Sequence, residues 1–172
     1  MADDRRADVP PGTEAAVLVD RLKERIYATI TMIAVVVGLS LGDVGPLGAV
    51  ATVLTTALGL WLAAFVADQQ AHRTVHRQLA TGHELRRMLY VSSPLLSCAV
   101  GPAVLIALAA LDVLSLHAAL LTAAGLGVLS LFLWGCLGGL RMGGGALAAT
   151  VAGLADAAIG VAVALVKAAA GH

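Results

Sequence analysis

Residues 44–67 read VGPLGAVATVLTTALGLWLAAFVA and contain no charged side chain. A run of about 20 mostly apolar residues is what a helix needs to cross the hydrocarbon core of a bilayer. The rest of the chain has a similar composition, since 59% of its 172 residues are hydrophobic and only 13% are charged. Soluble domains carry about 25% charged residues. The composition therefore predicts an integral membrane protein.

Further apolar runs lie on both sides of residues 44–67, separated by Gly, Pro or charged residues. The expected spans are 26–41, 44–67, 88–111, 113–137 and 143–170. They predict an all-α fold, a single five-helix membrane domain over residues 14–171 that follows a polar tail over residues 1–13. Pro94 and Pro102 each remove a helical hydrogen bond, so we expect a kink or an unwound turn in the third span.

Two polar segments adjoin the first three spans. Between Thr13 and Arg25, apolar residues recur at helical spacing and charged residues occupy other faces, which predicts an amphipathic interfacial helix at the N-terminus. Residues 68–87, DQQAHRTVHRQLATGHELRR, are too charged for hydrocarbon. They predict a short cytoplasmic helical insertion between the second and third spans.

Lysine and arginine are distributed unevenly between the two predicted sides of the membrane. One side holds Lys167 alone. The other side holds Arg5, Arg6, Arg21, Lys23, Arg25, Arg73, Arg77, Arg86, Arg87 and Arg141. Because short loops rich in these residues stay in the cytoplasm, we expect the N-terminus inside and the C-terminus outside, in a bacterial cell membrane. The formal net charge of zero gives no indication of a nucleic-acid partner.

Asp156 is the clearest functional candidate within an apolar run. It lies near the middle of the fifth span, where one helical turn in either direction offers only small or apolar neighbours. A charge at the centre of a membrane span costs about 2.5–3.5 kcal/mol on insertion scales, so we expect this carboxylate to have a function or a hydrogen-bond partner. Two interpretations remain open. The carboxylate binds a cation or carries a proton, or it is protonated and hydrogen-bonded across a helix interface.

The polar segment 68–87 holds the best-spaced metal-ligand types in the chain. Asp68, His72 and His76 fall at i, i+4 and i+8, which places them on one face of a helix that continues from the second span. Histidine with carboxylate suits divalent first-row metals. The neighbouring arginines favour a different interpretation, a basic surface that rests on anionic lipid headgroups. The sequence leaves both open.

Catalytic patterns and cofactor motifs are not indicated. No Ser or Cys has a credible His and carboxylate arrangement in the sequence, and the His-Glu-x-x-His pattern of zinc proteases is absent. Cys98 and Cys136 lie in apolar runs without Cys-x-x-Cys spacing. We therefore expect neither an enzyme nor a resident cofactor.

Small residues recur at four-residue spacing near the C-terminal end. One stripe consists of Gly145, Ala149, Gly153 and Ala157, and another consists of Gly135, Gly139 and Gly143. Stripes of this kind let helix backbones approach closely. They predict packing surfaces, either within the bundle or between the subunits of a homodimer.

This layout resembles the vacuolar iron transporter family, with an amphipathic N-terminal helix, five spans and a cytoplasmic insertion after the second. Residues 129–171, LSLFLWGCLGGLRMGGGALAATVAGLADAAIGVAVALVKAAAG, are similar to the family's fourth helix, basic turn and last helix. Residues 23–40, KERIYATITMIAVVVGLS, are similar to its first span. Where the family has an Asp-Gly pair, this chain has Glu24 followed by Arg25. Where the family's second span has a Met and a Glu, the matching residues here are Leu60 and Ala64, with Asp68 one turn later.

The resemblance implies a small transporter, as a dimer, that exports iron or manganese from the cytoplasm in exchange for protons. The residues expected to handle the metal are Glu24, Asp68, His72, His76 and Asp156. Glu24 and Asp68 would lie at the cytoplasmic mouth, and the two histidines would capture the ion. The alternative is a non-transporting membrane subunit or scaffold, in contact with lipid, that assembles through the small-residue faces.

Overall fold

The computed structural model describes residues 11–170, which are helical with short connections. Most of the tail expected over residues 1–13 lies outside the described residues, and the first helix begins at Pro11. The helices are α1 Pro11–Leu41, α2 Pro46–His76, α3 Gly82–Ser97, α4 Val100–Ala110, α5 Leu116–Arg141 and α6 Gly145–Ala170.

Five helical segments are long and apolar enough to cross a membrane, which confirms the expected number of spans in the described part of the chain. The third segment consists of α3 and α4 together. By length and composition, the candidate spans are Glu14–Leu41, Pro46–His76, Gly82–Ala110, Leu116–Arg141 and Gly145–Val166.

The two polar segments are continuous with neighbouring helices. The segment expected to lie at the interface, between Thr13 and Arg25, forms the first part of the long helix α1. Residues 68–87 are not a separate helix, because they comprise the end of α2, a loop over residues 77–81 and the start of α3. The side chain of Gln69 stabilises this loop through Ala80. Its Oε1 accepts a hydrogen bond from the N–H of Ala80 at 3.1 Å, and its Nε2 donates one to the carbonyl of Ala80 at 3.4 Å.

The third span breaks at Cys98 and Ala99, as its two prolines predict. Pro102 has no N–H to donate to the carbonyl of Cys98, four residues earlier, and this missing bond coincides with the break. Pro94 lies inside α3, where the carbonyl of Tyr90 instead accepts a 2.9 Å hydrogen bond from the hydroxyl of Ser93.

Helix α1 is the central element of the bundle. It packs against α2, α3, α5 and α6, whereas α2 packs mainly against α3 and α4. Beyond the break the third span changes partners, because α3 packs against α1 and α2 while α4 packs against α2 and α5. The largest fully buried side chains of the core include Val36, Val53, Ile106, Leu120 and Leu131.

The two small-residue stripes meet each other within the chain, between α5 and α6. A Cβ atom added at Gly139 would lie 2.5 Å from the Cα atom of Ala149, and one added at Gly135 would lie 2.7 Å from the Cα atom of Gly153. These distances leave no room for a side chain at either position of α5. The stripes therefore act as an intramolecular packing surface.

Candidate functional site

Charged side chains surround a cavity at the end of the bundle where α1 and α3 begin and α2 ends. We call this cavity, which has a volume of about 410 Å³, the vestibule. Three helices contribute to it. Its titratable lining residues are Asp20, Lys23, Glu24, Asp68, His72, His76, Glu84 and Arg87.

Carboxylates outnumber the permanently cationic groups of the vestibule. Four acids face one lysine and one arginine, which leaves an excess of two negative charges while the histidines are neutral. Because the cavity is partly enclosed by protein, this charge is screened less than charge on an open surface. The side chains that line the vestibule therefore carry a net negative charge, although the surrounding end of the bundle is rich in arginine.

The two ion pairs of the vestibule both involve acids of α1. Lys23 Nζ lies 3.6 Å from Glu24 Oε1, and Arg87 Nη2 lies 3.8 Å from Asp20 Oδ2. Exposed pairs at such distances contribute little to stability, so these acids can exchange partners at small cost. Asp68 experiences opposing Coulombic effects, attraction from Lys23 and repulsion from Asp20.

Helix α2 contributes the Asp–His–His face expected from the sequence. Asp68, His72 and His76 all line the vestibule, which confirms that they share one face. The imidazole rings of His72 and His76 lie 4.5 Å apart between centroids. Asp68 and His72 are half-buried and His76 is exposed, so the row leads from solvent toward the membrane.

Four of the five expected metal-handling residues thus lie around one cavity, since Glu24 joins the three residues of α2. Their arrangement is open rather than a closed coordination shell. Over residues 11–170, no three His, Cys, Asp or Glu side chains are close enough together to hold a metal ion. The geometry suits attraction of a hydrated cation by several separate acids.

Asp156 lies apart from the vestibule, half-buried on α6. Its carboxylate occupies space beside Gly135 of α5, because a Cβ atom added there would lie 2.7 Å from Asp156 Oδ2. Gly153, one turn from Asp156 on α6, also packs against α5. The structure therefore places this acid at the close α5–α6 interface and not among the other four residues.

A second cavity of about 410 Å³ continues from the vestibule between α1 and α2. Lys23 and Glu24 line both cavities, and the side chain of Glu24 is 20% exposed. Deeper in, the lining is apolar and includes Leu60 and Ala64. Glu24 consequently lies where the polar vestibule and this apolar cavity adjoin.

Sequence reasoning missed Asp20 as a member of the vestibule. Asp20 lies one helical turn before Glu24, so the i, i+4 spacing along α1 was an available signal. Glu84 and Arg87 belong to α3, and the packing of α3 beside α1 brings them to the cavity.

Comparison of the chain with protein-family models, with curated proteins and with solved structures finds no match. The geometry and the charges of the described residues are therefore the evidence that bears on function. Among these, the vestibule combines a cavity, an excess of acids and two histidines in one place.

Proposed function

We propose that this chain is a membrane transporter that admits a divalent cation, iron(II) or manganese(II), into the vestibule from the cytoplasm and exports it. The observation that carries the proposal is the vestibule itself, to which three helices contribute four acids and two histidines. Oxygen and imidazole nitrogen are the donors that suit these metals.

The residues of the vestibule take successive roles in this proposal. His76 and His72 meet the arriving ion, and Asp68 holds it by charge. Glu24 then draws it toward the cavity between α1 and α2, which it also lines. Weak, separate interactions favour passage, because conduction requires an ion to leave each position as well as to enter it.

Asp156 is proposed as the proton-carrying group within the membrane. A half-buried carboxylate in the fifth span is costly when charged, and proton uptake removes that cost. The resemblance to vacuolar iron transporters supports exchange of metal for protons. The uneven distribution of Lys and Arg supports entry from the cytoplasmic side.

The scaffold alternative has less support from the geometry. Its assembly surface was expected on the small-residue faces, but Gly135, Gly139, Ala149 and Gly153 pack against one another within this chain. A homodimer or larger assembly would therefore have to form through other faces of the bundle.

Uptake into liposomes that contain the purified chain tests the transporter. Manganese(II) and iron(II) are supplied at the vestibule side, with and without a pH gradient. We expect Asp68→Asn, and separately the double variant His72→Ala/His76→Ala, to lower the initial rate about tenfold, the effect of about 1.4 kcal/mol. Asp156→Asn should fold normally and abolish the flux.

Matched controls come from the far end of the bundle. Asp112→Asn and His117→Ala change the same residue types outside the vestibule and should keep the rate of the unmodified chain. Asp112 has a φ of 57°, a conformation that Asn tolerates well. Absence of metal flux under every gradient would refute the transporter, and normal flux in Asp156→Asn would remove that residue from the mechanism.

A further inference from the structure

A cleft of about 230 Å³ opens on the side of the bundle, away from the vestibule. Helix α1 forms its floor, α3 and α4 form one wall, and α5 forms the other. The break at Cys98 and Ala99 shapes this lateral cleft, because α4 packs against α5 whereas α3 packs against α1 and α2.

The lateral cleft opens toward the surroundings of the membrane spans and has an apolar interior. Ser97, Gly101 and Leu126 line it and are exposed. Two of the three hydroxyl groups that line it are turned to their own helices, since Thr29 donates to the carbonyl of Arg25 at 2.8 Å and Ser97 to that of Pro94 at 3.2 Å. The interior is therefore suited to hydrocarbon.

One end of the lateral cleft is basic. Arg25 lines it, is exposed, and places its guanidinium carbon 5.4 Å from the ring centroid of Trp134. Arg21, one turn earlier, lies 3.9 Å above the ring of Tyr90, and neither residue lines the cleft. The two ion pairs found over residues 11–170 involve neither arginine. Both cations are held by aromatic rings and keep donors for an anion.

The length of the lateral cleft matches one leaflet of a bilayer. Its floor runs along α1 from Arg25 to Val36, which is about 17 Å at about 1.5 Å per residue. The hydrocarbon core of a bilayer is about 30 Å thick, so this is about half of it. A phospholipid has the same two features, a charged headgroup and an apolar chain that reaches about half-way through the membrane.

We propose that the lateral cleft binds one anionic phospholipid from the leaflet on the Arg25 side. Its phosphate bonds the guanidinium of Arg25, and one acyl chain lies over α1 between the two walls, against Gly101 and Leu126, which line the cleft and are exposed. The occupant is a lipid rather than a soluble phosphate, because the remainder of the cleft offers apolar surface that a soluble anion leaves uncovered. This site is separate from the vestibule and does not depend on the proposed transport.

Native mass spectrometry of the full chain in detergent, titrated with dioleoyl-phosphatidylglycerol or dioleoyl-phosphatidylcholine, tests the headgroup contact. We expect the anionic lipid to bind more tightly and Arg25→Gln to reduce its affinity about tenfold, to the level of the zwitterionic lipid. Arg25→Lys should retain part of the preference, and Arg141→Gln, which removes an arginine outside the cleft, should retain all of it. An unchanged preference in Arg25→Gln would overturn the proposal.

A pair of glycine variants tests the acyl-chain contact. A Cβ atom meets nothing within 4 Å at Gly101, which lines the cleft, or at Gly125, which lies outside it. We expect Gly101→Leu to fill the cleft and lower lipid affinity about tenfold, and Gly125→Leu to have no effect. Equal binding by both variants, or equal affinity for glycerol phosphate and for the lipid, would refute the site. If Gly101→Leu fails to fold, the Arg25 variants decide the question.

Discussion

At the scale of single residues, adjacent glycines of α5 have opposite environments. Gly139 lies against the backbone of Ala149, whereas a Cβ atom at Gly138 meets nothing within 4 Å. Sequence spacing identified the stripe to which Gly139 belongs. It did not identify Ala149 as the residue that Gly139 meets, because that depends on how α5 and α6 align in space.

We expect Gly139→Ala to destabilise the bundle by about 1–3 kcal/mol, the usual cost of adding atoms to a close-packed interface. Gly138→Ala is the matched control and should be neutral or stabilising by up to about 1 kcal/mol, because alanine favours helix. Unfolding in detergent micelles, followed by circular dichroism, measures both. Equal midpoints for the two variants would show that the close α5–α6 contact does not form.

The vestibule shows how far local spacing predicts a site. Asp68, His72 and His76 were predicted as a group because the helical repeat places them on one face. Glu84 and Arg87 belong to the same polar segment, but their positions around the cavity depend on the packing of α3 against α1 and α2. Asp156 was expected within the membrane, apart from the residues at the cytoplasmic mouth, and it lies half-buried beside Gly135 of α5. The sequence could not identify this neighbour, because it depends on how α5 and α6 align.

At the scale of helices, the sequence predicts the number of elements well and their ends less well. Apolar composition identifies all five spans, and the two prolines predict an irregularity in the third. The polar residues after Ala67 suggested an insertion whose first part continues the helix of the second span, and α2 continues to His76. An amphipathic helix can extend past the membrane boundary. A change from apolar to polar residues therefore marks that boundary rather than the end of the helix.

The break between α3 and α4 leads to a prediction for the backbone. We expect Pro102→Ala to restore a donor for the carbonyl of Cys98 and to slow amide exchange over residues 98–104 at least about tenfold. An interior proline costs a helix about 3 kcal/mol, and about 1.4 kcal/mol already corresponds to tenfold. Hydrogen–deuterium exchange with mass spectrometry measures this change.

Pro46→Ala is the control for the helix break. Pro46 lies in the first turn of α2, where a missing N–H removes no intrahelical bond, so exchange there should stay the same. If exchange over residues 98–104 were also unchanged in Pro102→Ala, the break would have a cause other than the lost hydrogen bond.

At the scale of the whole molecule, five helical segments that each crossed a membrane would place the start of α1 and the end of α6 on opposite sides of it. The contact of Arg25 with Trp134 brings the middle of α1 level with the last two turns of α5. Arg21, Arg87 and Arg141 belong to the same end of the bundle, as the distribution of basic residues in the sequence predicts.

We expect this basic end to face the cytoplasm, because short loops rich in Lys and Arg are retained there. A fluorescent protein fused to the N-terminus should fluoresce, and alkaline phosphatase fused to the C-terminus should be active, since its disulfides need an oxidising compartment. As controls, alkaline phosphatase fused to the N-terminus and the fluorescent protein fused to the C-terminus should both be inactive. Two fusions of the same reporter that were both active would contradict an odd number of crossings.

The central position of α1 has a consequence for the order of events during synthesis. Ile33 packs over Gly127, which follows it by about 90 residues. At a synthesis rate of about 5–20 residues per second, Gly127 is made about 5–20 seconds after Ile33. During that interval the face of α1 that later meets α5 is covered by lipid or by other helices. The native neighbours of this face on α5 must therefore displace those temporary contacts, and they do so late in synthesis.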